Sequence, residues 1–161
     1  MAFGSRASNL VDGDTAGRDI FVRYWWTPGS TTERVSLRTG GGEQNGDCDS
    51  PAISVKDGRY VAFVCSAATT NLDDLLPDTN GQADVFVRDR TGNRTWRVSR
   101  PLDGVSEGNQ PAFGAQRWPE LSDDGKLVAF LSQATNLFPG DENEAADLFV
   151  RTNPSDECLD L

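Results

Sequence analysis

The chain has 161 residues, 37% hydrophobic and 25% charged, with a net charge of -10 and no histidine. That is one ordinary soluble domain, long enough to bury a core. The acidic surface argues against nucleic-acid and membrane-surface partners, and the lack of histidine excludes Ser-His-Asp and Cys-His sites and imidazole-bound zinc.

The 18 aspartates, against 7 glutamates, and the 16 glycines favour short strands and tight turns over helices. No apolar run approaches the roughly 20 residues of a membrane span, so no membrane insertion is expected. The N-terminus, MAFGSRASNL, lacks a basic segment followed by an apolar stretch. It is not a signal peptide; a cytoplasmic location is the default expectation for a complete chain, and export stays open for a processed chain or a fragment.

Read in chain order, the sequence repeats itself three times. The first copy opens with Ala2-Phe3, continues through Asn9-Leu10 to the strand DIFVR at 19–23, and ends in Arg34-Val35-Ser36. The second begins with a strand PAISV at 51–55 and an Asp57-Gly58 pair. The strand RYVAFVCS at 59–66 and Asn71-Leu72 follow, then DVFVR at 84–88, a turn DRTGN and the strand TWRVS at 95–99. The third has PELS at 119–122, Asp124-Gly125, KLVAFLS at 126–132, Asn136-Leu137 and DLFVR at 147–151. The Asp-Gly pairs predict type I′ hairpins, in which both central residues take positive φ. A complete copy therefore has four short strands, a to d. Strands b and c are apolar on both faces, so each sheet must be covered on both sides, as in a β-propeller.

These residues carry a resemblance. The pattern of Asp-Gly-Arg-Tyr-Val-Ala-Phe, Thr-Asn-Leu and Asp-Val-Phe-Val-Arg resembles the TolB-like β-propeller repeat family, a group of WD40-like propeller repeats. The resemblance implies an all-β chain of about three four-stranded antiparallel blades, an incomplete or half propeller. Residues 1–151 form the propeller segment, with blades at about 1–38, 50–100 and 118–151. Residues 152–161 are a tail whose ECLDL offers a weak outer strand. Closed propellers have about four to eight blades, so two chains forming a six-bladed homodimer is the expected assembly.

The candidate sites follow from the repeats. Asp78, Asn80 and Asp84 in the second copy, and Asp141, Asn143 and Asp147 in the third, are spaced as Ca²⁺-wrapping loops are. Asp and Asn that cap a turn have the same spacing. Trp118, before strand a, either stacks on a sugar or peptide at the channel mouth or wedges between blades. Trp25, Trp26 and Trp96 are placed to cover an outer edge. Arg23, Arg88 and Arg151 recur at the end of strand c, which points to a structural bond to a neighbouring blade's carboxylate or carbonyl. Cys65 reads as a small core residue, while Cys48 and Cys158 either pair or remain free thiols. The sequence supports a non-catalytic binding or scaffold module contacting a protein, peptide or carbohydrate. A remnant or subunit of a propeller hydrolase or lyase, or a gene fragment, is the alternative.

Overall fold

The computed structural model describes residues 1–14, 17–24, 28–73, 77–113 and 119–154. They form three antiparallel sheets and no α-helix. The first sheet holds β1 (Ala2–Ser5), β2 (Asp19–Arg23) and β3 (Thr32–Arg34) in that order. The second holds β4 (Cys48–Ile53), β5 (Tyr60–Cys65), β6 (Asp84–Asp89) and β7 (Arg94–Arg97). In the third, β10 (Leu127–Ser132) pairs with β11 (Asp147–Thr152) on one side. On the other side it meets two short pieces, β8 (Ala112–Phe113) and β9 (Glu120–Leu121). The inner strands thus start earlier than the sequence repeats indicate, at Cys48 and Ala112 rather than Pro51 and Pro119. Among the described residues no sheet closes on itself.

Period-two alternation splits each b and c strand between two neighbours. Val61, Phe63 and Phe86 pack with Ile20 and Val22 of the first sheet. Tyr60, Ala62, Val85 and Val87 point the other way and pack with Val128 and Phe130 of the third. A strand buried on both faces cannot spare a polar position, which is why these runs are apolar throughout. The repeated Phe pairs stand opposite each other in register, with ring centroids 5.7 Å apart for Phe3 and Phe21, 6.3 Å for Phe63 and Phe86, and 5.8 Å for Phe130 and Phe149. Burying one such ring stabilises the fold by roughly 1.5–3 kcal/mol.

Two local expectations are corrected. The Asp-Gly turns are not type I′: Gly58 and Gly125 have positive φ, but Asp57 and Asp124 do not. Each aspartate instead accepts a backbone N–H two residues on, from Arg59 and Lys126, and bonds Ser54 or Ser122. That fixes the aspartate in an ordinary conformation and leaves the left-handed one to glycine. Gly125 is also needed for space, because a Cβ there would lie 2.2 Å from the Tyr60 ring.

The second correction concerns the cysteines. Cys48 pairs with Cys65 in a disulfide between β4 and β5. The register explains why the pairing is hidden in the sequence. Ile53 and Ala52 stand opposite Val61 and Ala62, which in an unbroken ladder would set Cys48 against Ser66. A bulge between Asp49 and Ala52, with Ser50 at φ 56° and Pro51 beside it, shifts the register by one and brings Cys48 opposite Cys65. Cys158 and the rest of the segment 155–161 lie outside the described residues.

Candidate functional site

The acidic loops lead to one recurring arrangement built around an arginine. In the second repeat, Arg97 ends β7 and is almost fully buried. Its Nη1 lies 3.0 Å from Asp78 Oδ1 and 3.3 Å from Asp84 Oδ2, and its Nη2 donates to Glu107 Oε1 at 3.0 Å. Ser99 donates its hydroxyl to Asp84 Oδ1 and accepts the Val85 N–H at 2.9 Å. Asn80 donates to Asp84 Oδ2 at 3.1 Å and to the Gly108 carbonyl at 3.2 Å. Thr79 donates its N–H and hydroxyl to the Glu107 carboxylate. The sequence placed Asp78, Asn80 and Asp84 together, and they are together, but around a guanidinium.

The first repeat has the same design. Arg34 Nη1 lies 3.3 Å from Asp14 Oδ1 and 2.6 Å from Glu43 Oε1. Ser36 donates to Asp19 Oδ1 at 2.6 Å and accepts the Ile20 N–H at 3.0 Å. Asp14, Asp19 and Glu43 are, among the described residues, the one set of three carboxylates with oxygens within 4.8 Å of one another. The sequence reading missed Arg34, Arg97, Glu43 and Glu107. The recurring Arg-Val-Ser was visible, but its destination depends on the β2–β3 and β6–β7 registers.

One guanidinium faces three carboxylates, and the balance shows in their acidities. Burial, and after it the Asp84 carboxylate, push the Asp78 carboxyl up to about 7 against the pull of Arg97. Burial likewise raises Asp19, although Ser36 and Gln44 donate to it. Glu107 is held below the usual range despite its burial by the Thr79 N–H and hydroxyl and by Arg97. Burial opposes the Arg97 charge, but Asp84, Asp78 and Glu107 keep it firmly protonated.

In the third repeat, Asn143 accepts the Ala145 N–H at 2.8 Å, a turn-capping bond, and Asp147 opens β11. Asp147 Oδ2 is buried and has no hydrogen-bond partner. No described residue stands where Arg97 and Ser99 stand in the second repeat. Trp118, Trp25 and Trp26 lie outside the described residues. Trp96 is buried on β7, with the Arg94 guanidinium 5.1 Å over its ring.

The other recurring motifs have structural jobs. Thr70-Asn71 clamps Asn45: Asn45 donates to Thr70 Oγ1 and Asn71 Oδ1, Thr70 N–H donates back to Asn45 Oδ1, and Asn71 donates to the Glu43 carbonyl. Thr135-Asn136 clamps Asn109 bond for bond, down to the Glu107 carbonyl. Arg88 donates to the carbonyls of Leu37 and Arg38, and Arg151 to those of Arg100 and Leu137. Two of the three strand-ending arginines thus reach into the preceding repeat, Arg88 with both carbonyls and Arg151 with that of Arg100, whereas Arg23 donates to Thr32 on its own sheet.

The third sheet differs in one more way. Leu148 and Val150 occupy the places of Val85 and Val87. The latter pair is fully buried against the third sheet, while Leu148 is 68% and Val150 58% exposed. Leu127, in the place of buried Tyr60, is 45% exposed. No protein-family model, curated protein or solved structure matches the chain.

Proposed function

We propose that the three sheets are blades of a TolB-like β-propeller segment, and that the chain is a non-catalytic binding or scaffold module for a protein, peptide or carbohydrate. The observation that carries this reading is the apolar face of Leu127, Leu148 and Val150. Its counterparts in the first and second sheets are each covered by the next sheet, so the same surface is built to be covered here too. A second copy is the proposed cover, the third blade of one chain meeting the first blade of the other around a two-fold axis in a six-bladed ring. The arginine-centred clusters support the non-catalytic reading, because Arg34 and Arg97 already pair with carboxylates of each cluster, although Asp19 Oδ2 and Asp78 Oδ2 are buried without a hydrogen-bond partner. The Cys48–Cys65 bond suits an oxidising compartment, and this sets the reading against the cytoplasmic default.

Light scattering on the full chain tests the assembly. A mass of twice the 17.5 kDa chain is expected, falling to a single chain when Leu148 and Val150 are both changed to Lys. Both positions are exposed, so the variant keeps its fold. A wild-type mass of one chain at high concentration rejects the dimer.

The acidic loops have a second reading as Ca²⁺ sites, which the absence of a guanidinium among the described residues favours in the third copy. In the first and second copies a guanidinium already stands among the carboxylates, and among the described residues none stands beside Asp141 and Asp147; buried carboxylate oxygens without a hydrogen-bond partner occur in all three copies, on Asp19, Asp78 and Asp147. This reading predicts that millimolar calcium raises the melting temperature by mass action and that Asp147→Asn removes the gain. A melting curve unmoved by calcium or chelator rejects it.

A further inference from the structure

The third copy departs from the second in three loop positions at one end of its sheet. The Asn45 and Asn109 clamps fix the correspondence, since they agree bond for bond. The residue after the clamped asparagine is Gly46 in the second copy and Gln110 in the third. The residue after the b strand is Ser66 or Gln133, and it donates its N–H to the Asp47 or Pro111 carbonyl, at 2.8 and 3.2 Å. In the acidic loops, the residue three before the strand-opening aspartate is Gly81 or Glu144. At all three positions a small residue gives way to a long polar one.

Each change is accommodated by its surroundings. A Cβ at Gly46 would lie 2.1 Å from Thr69 Oγ1, whereas the third copy has Ala134 in the place of Thr69 and room for Gln110. Ser66 accepts the Asp47 N–H at 3.3 Å, but Pro111 has no N–H to give, so Gln133 has no such bond to make. Gly81 has φ 66°, a left-handed conformation that glycine adopts freely, and Glu144 keeps it at φ 52°. A non-glycine residue held there points to a use of its side chain outside the fold. The side chains of Gln110, Gln133 and Glu144 are exposed and, among the described residues, make no hydrogen bond or ion pair.

With Asn109 and Thr135 they line a cleft of about 430 Å³ that has no apolar side chain in its wall. The amides set donors beside acceptors, Thr135 adds a hydroxyl and Glu144 an acceptor. Such a set pairs with adjacent hydroxyl groups, each of them both donor and acceptor. An anion is disfavoured, because Glu144 lies in the wall, no cation does, and the chain carries a net charge of -10. A single carboxylate is too few for a hard metal ion. We propose that this cleft binds a neutral saccharide through its hydroxyl groups. The proposal rests on the binding-module reading and names one of its ligand classes. It uses none of Leu127, Leu148 and Val150, so it and the dimer can fail separately.

The test titrates cellotriose, maltotriose and N,N′-diacetylchitobiose into the full chain, with chelator present so that calcium plays no part. The side-chain amide NMR signals of Asn109, Gln110 and Gln133 report binding. Saturable shifts with at least one sugar are expected, at a dissociation constant of roughly 1–10 mM. Gln110→Gly with Gln133→Ser restores the second copy's residues at exposed positions and should weaken binding by about fivefold or more. Glu144→Gly should weaken it similarly while raising the melting temperature by about 2 °C, because glycine takes the left-handed conformation without cost. No saturable shift with any of the three sugars, or unchanged affinity in either variant, overturns the proposal. If sugars fail to bind a chain that light scattering reports as a dimer, this proposal falls and the module reading stands.

Discussion

Arg97→Ala is expected to destabilise the folded chain by about 3–5 kcal/mol, the cost of breaking a buried ion pair by removing one partner. The guanidinium is the sole cation bonded to Asp78, Asp84 and Glu107 among the described residues, and without it three carboxylates share a buried site. Arg97→Met keeps most of the volume and should lose nearly as much, which separates charge from packing. Denaturant unfolding at pH 7 measures both.

The loss should depend on pH in a stated direction. The Asp78 carboxyl has a folded value of about 7 against an ordinary 3.8, so between roughly pH 4 and 7 the folded chain binds a proton that the unfolded chain has released. Stability from this group therefore rises as pH falls from 7 towards 4. In the variant the carboxylates have still more reason to protonate, so the gap between variant and wild type narrows on the way to pH 5. Below about 4 the trend reverses. Asp89 is held below its ordinary value by Arg59 and the Gly92 and Thr91 N–H groups, which outweigh its burial, and its contribution is lost once it protonates. A gap that widens on acidification would contradict the arrangement.

The second large effect is expected from the disulfide. Cys48 and Cys65 are 17 residues apart, and a loop of that length loses about 3 kcal/mol of cross-link stabilisation when it is opened. Cys48→Ala with Cys65→Ala should lower the unfolding midpoint accordingly, and reductant should do the same to the wild type but not to the variant. Equal midpoints with and without reductant, in a chain whose thiols remain alkylatable before unfolding, would show that the bond is absent.

The parts of the fold that were legible in the sequence are those fixed by side-chain pattern alone. RYVAFVCS and DVFVR are apolar on both faces, and β5 and β6 are buried on both faces. The repeated Phe residues mark equivalent places because each pair faces across two strands. What escaped the sequence depends on register or on backbone conformation. The Ser50 bulge turns Cys48 towards Cys65, and nothing in the spacing announces it. The Asp-Gly signal located both turns correctly but gave the wrong type, because the aspartates bond the following backbone rather than entering the left-handed region. The acidic loops were located correctly too, while the cation among them came from strand d, in the Arg-Val-Ser that the repeat displayed without its meaning.

Amide hydrogen exchange across the equivalent strands β6 and β11 tests the central claim most directly, that β11 repeats β6 but, among the described residues, has no strand in the place of β7. The N–H groups of Val85 and Val87 face β7 and should exchange among the slowest in the chain, whereas those of Leu148 and Val150 face an edge with no neighbouring strand among the described residues and should exchange faster by orders of magnitude. That contrast is the predicted result. Equal protection of the two pairs in the free chain would contradict it, since the edge of β11 would then already be covered.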